Sequence, residues 1–160
     1  MKRLSPHFSY TEMVHSDTAE RRNINNVPNL TAQMNLVSLC ENVLEPIRRE
    51  FGPVLVTSGY RSPGLNFVVG GSLNSQHMDG EAADIKVPSE HIDFVFEWIC
   101  QSDIEFDQVI HEYGRWIHIS YKRNGHNRKK ITVATRNSEG QTHYQNYHPA
   151  AIAAKDYTRM

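Results

Sequence analysis

Apolar residues recur at three- and four-residue spacing from Asn29 onward: Leu30, Met34, Val37, Cys40, Leu44, Ile47 and Phe51. That periodicity predicts one amphipathic helix, closed by Gly52 and Pro53. Pro46 lies inside the pattern and removes a backbone donor, so a bend is expected there. Residues 1–30 are polar, and Asn23, Asn25, Asn26, Pro28 and Asn29 crowd their end. With Phe8, Met13, Val14, Ile24 and Val27 as anchors, they predict a short helix over 10–15, begun by Ser9 or Thr11, and then a loop wrapping the domain.

The pattern then changes period. Val54, Leu55, Val56 and Thr57 form a β-branched apolar run ending at Ser58 and Gly59, which predicts a buried strand. Residues 61–80 carry Pro63, Gly64, Gly70, Gly71 and Gly80 and read as a long loop. A structureless segment of that length inside a domain is usually functional, or else hides a short helix. Ala82 to Val87 resumes a strand, and His91 to Cys100 is helical, with Ile92, Val95, Phe96 and Ile99 on one face and Pro88 and Ser89 at its start. Asp107 to His111 and Trp116 to Tyr121 are β-rich runs around Tyr113 and Gly114, a hairpin signal. Ile131 to Thr135 predicts an edge strand, 137–148 a polar loop, and Pro149 to Tyr157 an alanine-rich terminal helix. The sum is an α+β domain, a small antiparallel sheet flanked by helices.

Composition narrows the function classes. The chain has 160 residues, the size of one ordinary domain, with Lys+Arg 17 against Asp+Glu 18 and a formal charge of -1. No global basic field draws it to nucleic acid or an anionic membrane. No apolar run approaches the ~20 residues of a membrane span, so membrane insertion is not expected. Met1 to Tyr10 has two cations followed by Ser, Pro and His instead of an apolar segment, so no general secretory export is expected either. Cys40 and Cys100 sit in apolar helical patterns, as buried free thiols do. The basic residues Lys122, Arg123, Arg128, Lys129 and Lys130 read as a solvated face. Nine histidines are left over, and histidine is the commonest metal ligand.

Two segments concentrate chemistry: Ser75 to Asp84, and Trp116 to Ser120. Asp84 is flanked by Ala82, Ala83 and Ile85, and a carboxylate in such company needs a partner. A divalent cation bound also by an imidazole would supply it. His118 alternates with Trp116 and Ser120 on one face of its strand, so a rigid strand can present its ring. Two histidine nitrogens and one aspartate oxygen make three ligands for a single Zn²⁺, with the fourth position open, the catalytic rather than the structural arrangement.

The run Thr57-Ser58-Gly59-Tyr60-Arg61-Ser62-Pro63, the spacing of Ser75, His77, Gly80, Ala82 and Asp84, and the pair Trp116 and His118 resemble the D-Ala-D-Ala carboxypeptidase and L-alanyl-D-glutamate peptidase family of zinc enzymes. The resemblance spans residues 5–121, most of the chain. That family shares its metal site with the hedgehog signalling domain and includes many phage endolysins. The resemblance implies His77, Asp84 and His118 as zinc ligands, Arg61 as the group that polarises the scissile carbonyl or holds a substrate carboxylate, and Ser75 as a residue near substrate. Trp116 is either core or a wall of the substrate groove.

Such a site works by lowering the pKa of bound water to roughly 7, and a general base must take that water's proton. Endolysin relatives place an acid three positions before the last histidine; here Arg115 stands there. Glu112 matches the glutamate of hedgehog-like relatives and is the first choice. Hairpin parity tests it. A three-residue loop at Tyr113, Gly114 and Arg115 puts Glu112 opposite Trp116 on the His118 face; a two-residue turn points it away and brings in His111. Asp107 is a third candidate, although a hairpin-capping role suits it better.

The expected function is a zinc peptidase acting on peptidoglycan stem peptides. The lack of an export signal or wall-binding module fits a monomeric phage endolysin that waits in the host cytoplasm until lysis, which favours L-Ala–D-Glu cleavage over D,D-carboxypeptidase activity. A non-catalytic zinc module that recognises wall peptides is the rival from another class. The organisation expected is one domain over 1–160, with a wrapping segment at 1–30, the motif-bearing core at 30–121 and a strand, loop and helix at 122–160.

Overall fold

In the computed structural model, which describes residues 2–148, the polar N-terminal segment is pinned to the body. Strands β1 (Arg3–Ser5) and β2 (Phe8–Ser9) pair antiparallel. Ser9 then caps α1 (Tyr10–Val14) by accepting from the Glu12 amide. A further helical turn, α2 (Asp17–Arg21), capped by Ser16, occupies part of what the sequence predicts as loop. Phe8 and Met13 are buried as expected, but Val27 is not an anchor and is 68% exposed. The pin is Glu45, whose carboxylate accepts from Ser5 Oγ at 2.7 Å, from the His7 amide at 2.7 Å and pairs with His7 Nδ1 at 2.8 Å.

Glu45 can do this because the long helix is remodelled beside it. The helix runs as α3 (Leu30–Leu39), a π turn (Cys40–Leu44) and α4 (Glu45–Phe51). The wide turn ends just before Pro46, where the proline ring would collide with a preceding carbonyl in a regular α-helix, and the Glu45 amide reaches back to Cys40 O. The buried stripe is Ala32, Leu36, Leu39, Cys40, Val43, Leu44 and Ile47. Leu30 and Met34, expected on it, are 71% and 43% exposed.

The remaining elements are β3 (Leu55–Ser58), α5 (Pro63–Val68), a 3₁₀ turn (Gln76–Asp79), β4 (Ala82–Lys86), α6 (Ile92–Gln101), β5 (Gln108–Glu112), β6 (Trp116–Ser120), β7 (Lys130–Arg136) and β8 (Thr142–Asn146). The two helical pieces α5 and the 3₁₀ turn lie inside the expected long loop. The strands form a six-stranded sheet in the order β3-β4-β6-β5-β7-β8, antiparallel except for the parallel pair β5 and β7.

Three expectations are corrected here. Strand β3 lies at the sheet edge instead of being buried, and Leu55 is 54% exposed. Strand β7 is internal, because residues 142–146, expected as loop, form the outer strand β8. Every residue of β8 is exposed, so no apolar alternation marks it in the sequence. The expected helix at 149–157 lies outside the described residues.

Alternation along the central strands decides what each sheet face does. Ala83, Ile85, Val109, Ile117 and Ile119 enter the core with Leu36, Leu39, Val43, Ile47, Phe96 and Ile99. The intervening residues, Asp84, Ile110, Glu112, Trp116 and His118, belong to the other face. Cys40 and Cys100 are free thiols. Among the described residues no helix is long and apolar enough to cross a membrane.

Candidate active site

Strands β4 and β6 pair so that Asp84 lies directly opposite His118. His77 reaches the same point from the 3₁₀ turn, which Ser75 caps by accepting from the His77 amide at 3.2 Å. The turn closes through Gly80, whose φ of 71° favours glycine and whose bare Cα lets the Ala32 carbonyl pack against it. Asn35 holds the turn from α3, donating to the Asp79 carbonyl at 2.8 Å. The loop carrying His77 is thus fixed against the core.

The three side chains converge on one carboxylate oxygen. Asp84 Oδ1 lies 3.0 Å from His118 Nδ1 and 3.4 Å from His77 Nε2, and the imidazole centroids are 5.1 Å apart. One donor atom from each residue lies within 4.8 Å of the others. Burial would raise the Asp84 pKa, but His77 and His118 hold its carboxyl far below the usual range. Burial lowers the His77 pKa despite Asp84. The His77 ring and the Asp84 carboxylate thus face each other out of water.

The second nitrogen of His77 tests whether a cation belongs between them. Nδ1 lies 2.6 Å from the Gly59 carbonyl oxygen, which can only accept, so Nδ1 carries a proton and, in the neutral ring that a metal requires, Nε2 is the free lone pair. That lone pair and Asp84 Oδ1 are then two acceptors facing each other, an arrangement that a positive charge between them relieves. Two imidazoles and one carboxylate are the nitrogen and oxygen donor set that suits Zn²⁺. The residues present fit the ion. A second group of donors, His15, Asp17 and Glu20, is exposed to solvent.

Arg61 is bound into the same network. Its Nη2 donates to Asp84 Oδ2 at 3.2 Å, Nη1 to Asn66 Oδ1 at 3.2 Å and Nε to Ser58 Oγ at 3.0 Å. Asn66, itself buried, donates in turn to the Ser72 carbonyl at 2.8 Å. Held on three sides beside the Asp84 carboxylate, the guanidinium retains two N–H groups that can meet a further acceptor.

The hairpin parity resolves in favour of Glu112. Glu112 pairs with Trp116 across a three-residue loop in which Tyr113 and Gly114 adopt φ of 57° and 70°, and the Arg115 amide donates to Glu112 O at 2.9 Å. Glu112 therefore shares the face of His118. Burial raises its pKa; Asp84 adds to the rise, and His118 and Arg61 oppose it. Among the described residues no hydrogen bond engages its carboxylate.

The two alternatives lie elsewhere. His111 points to the core side, its Nε2 2.8 Å from Asp93 Oδ1 and its ring 5.2 Å from Phe96. Asp107 is fully buried and accepts from Arg128 N, Nε and Nη2 at 3.2, 3.0 and 2.9 Å, an ion pair instead of a hairpin cap. Arg128 makes this pair while staying exposed on the expected basic face, whereas Arg123 is half-buried and donates to Asn35 Oδ1 at 3.0 Å. Trp116 is half-buried on the site face, with its ring 5.6 Å from Tyr113.

Sequence reasoning missed the supports: Ser58 and Asn66 behind Arg61, and the Gly59 carbonyl behind His77. Gly59 has a second task, since a Cβ there would run into the Met13 carbonyl of α1. Nothing in the spacing marks Asn66, a polar residue in a loop rich in Asn, Ser and Gly.

No curated protein matches the chain. A family model described as Peptidase M15 matches residues 6–120, a span holding Arg61, His77, Asp84, Glu112 and His118 together with both pairing partners of β4. With that match over most of its length, and with a two-histidine, one-aspartate centre assembled on the sheet face opposite the hydrophobic core, the chain belongs to the M15 family of zinc peptidases.

Proposed function

We propose that this peptidase hydrolyses the L-Ala–D-Glu bond of peptidoglycan stem peptides, with one zinc ion held by His77, Asp84 and His118. One observation carries the hydrolytic chemistry, namely that the unengaged carboxylate of Glu112 and the anchored guanidinium of Arg61 lie on the same side of the sheet as the donor cluster; the choice of bond rests on the resemblance to endolysins. Burial raises the pKa of the Glu112 carboxylate, which suits a group that takes a proton during hydrolysis.

A zinc ion at such a site supplies Lewis acidity toward a peptide carbonyl and toward water. Glu112 takes the proton of the attacking water and returns it to the leaving amine. Arg61 offers its remaining N–H groups to the scissile carbonyl, and its contacts with Ser58, Asn66 and Asp84 keep it aimed before substrate arrives. Ser75 and Trp116 border the peptide. The setting that suits this chemistry is a monomeric phage endolysin, held in the host cytoplasm until lysis and then acting on the wall.

A second reading, D,D-carboxypeptidase activity, draws on the same arginine, because a fixed guanidinium beside the cluster also suits a terminal carboxylate. Mass spectrometry of fragments released from purified sacculi separates the readings. New L-Ala carboxyl and D-Glu amino ends support the proposal, and loss of terminal D-Ala transfers it to the second reading. Intact sacculi after incubation with zinc-loaded protein refute both.

A further inference from the structure

The strands β7 and β8 lie beyond the span matched by the peptidase family, yet they extend the face that carries the site. Register makes this explicit: Glu112 pairs with Ala134, and Ala134 with Tyr144. The middle residue of that row is small and buried, so nothing bulky separates the carboxylate from the tyrosine ring. Burial raises the Tyr144 pKa, and Glu112 adds to the rise. Tyr144 is nonetheless 57% exposed, a large aromatic left open beside the candidate base.

The next residue on this face of β7 is Arg136, and its guanidinium lies 4.7 Å from the centre of the Tyr113 ring. Tyr113 is itself fixed, with its hydroxyl 2.7 Å from Thr142 Oγ1 and its ring against Trp116. A groove of about 420 Å³ opens beside this pair where β5, β6 and β7 end, lined by Tyr113, Arg115, Trp116 and Arg136 and also by His111 and Val133 of the other sheet face. Among the described residues Arg136 forms no ion pair with an acid. An arginine stacked on an aromatic ring has lost much of its freedom while keeping its N–H fork, which matches a carboxylate in two-point fashion.

We propose that Arg136, seated on Tyr113 and bordered by Trp116 and Tyr144, forms a subsite that binds a carboxylate of the peptide substrate on the Glu112 side of the metal centre. The proposal rests on the peptidase reading above and names what that reading lacks, a group that discriminates among peptides. Stem peptides carry a free α-carboxylate on D-Glu, next to the proposed scissile bond, and amidation removes its charge. Arg136 therefore selects the acid over the amide.

The test compares two synthetic peptides, L-Ala-γ-D-Glu-L-Lys with the D-Glu α-carboxylate free and the same peptide with an α-carboxamide, on the zinc-loaded full chain. The expected kcat/KM ratio of acid to amide is about tenfold, carried by KM. Arg136→Gln brings the ratio close to one, Arg136→Lys, which keeps the charge and loses the fork, gives an intermediate ratio, and the exposed control Arg49→Gln keeps it. A wild-type ratio near one, or a ratio that survives in Arg136→Gln, overturns the subsite. Should neither peptide be cleaved, the scissile-bond assignment falls and titration calorimetry with the same two peptides decides the subsite. Tighter binding of the acid that disappears in Arg136→Gln sustains it, and equal or undetectable binding of both overturns it.

Discussion

Replacing Glu112 with Gln tests the assignment of the base with little else disturbed. The side chain keeps its shape and loses only its capacity to take a proton. Its carboxylate makes no hydrogen bond with the described residues, and it is not among the donors that converge on the metal position. Stability should therefore change by no more than about 0.5 kcal/mol, as for a substitution that breaks no buried contact, and zinc content should stay at one ion per chain by elemental analysis. Turnover should collapse. A positioned general base contributes roughly 10²–10⁴-fold, about 3–5 kcal/mol of barrier. The pH profile supplies the second readout. Glu112 acts when ionised, so activity is lost as pH falls through its pKa; burial pushes that pKa up, with Asp84 adding and His118 and Arg61 opposing. The wild-type profile should have an acid limb that the Gln variant lacks. A zinc-loaded variant that keeps more than about a tenth of wild-type kcat, or an unchanged acid limb, refutes the assignment.

Exhaustive chelation should abolish turnover and zinc should restore it. Because the ion binds only the folded chain, zinc at about 1,000 times its dissociation constant should add about 4 kcal/mol of stability, seen as a higher Tm that Asp84→Ala no longer shows. Asp107→Ala removes the acceptor of the Arg128 amide and guanidinium; because Arg128 is half exposed and its charge stays hydrated, the cost in urea unfolding at neutral pH should be about 1–3 kcal/mol. Burial opposes the Asp107 charge, but the Arg128 bonds lower its folded pKa below the unfolded value. The pair's contribution is therefore present above the unfolded pKa and fades as pH falls through the folded one, and the difference between wild type and variant should shrink in acid. Gly59→Ala should weaken zinc binding in a competition titration, because the new Cβ meets the Met13 carbonyl and moves the Gly59 carbonyl that orients His77.

What was legible in the sequence follows from the range over which each feature is specified. Asp84 stands out because its immediate neighbours are apolar and small, so the need for a partner is visible within a few residues. Glu112 became legible through a count, since the length of one hairpin loop fixes which face it occupies. The register of the long helix misled at its start. A spacing of three or four residues tolerates drift, and Leu30 and Met34 are apolar but lie off the stripe defined by Leu36, Leu39, Val43 and Ile47.

The illegible residues share one property: a tertiary partner converts an ordinary surface residue into part of the structure. Asp107, before a strand, looks solvated until the fold buries it against Arg128, 21 positions away, whose own side chain stays half exposed. Asn66 looks like loop until Arg61 donates to it. The outer strand β8 is the extreme case, because both its faces are exposed and only pairing with β7 defines it. Its role in the site was invisible for the same reason. Catalytic chemistry announces itself through residue types that are costly to bury, whereas the surface that selects a substrate is built from residues content to remain in water. Tyr144 and Arg136 carry no such cost, and only the row from Glu112 through Ala134 to Tyr144 brings them to the metal centre's side of the sheet.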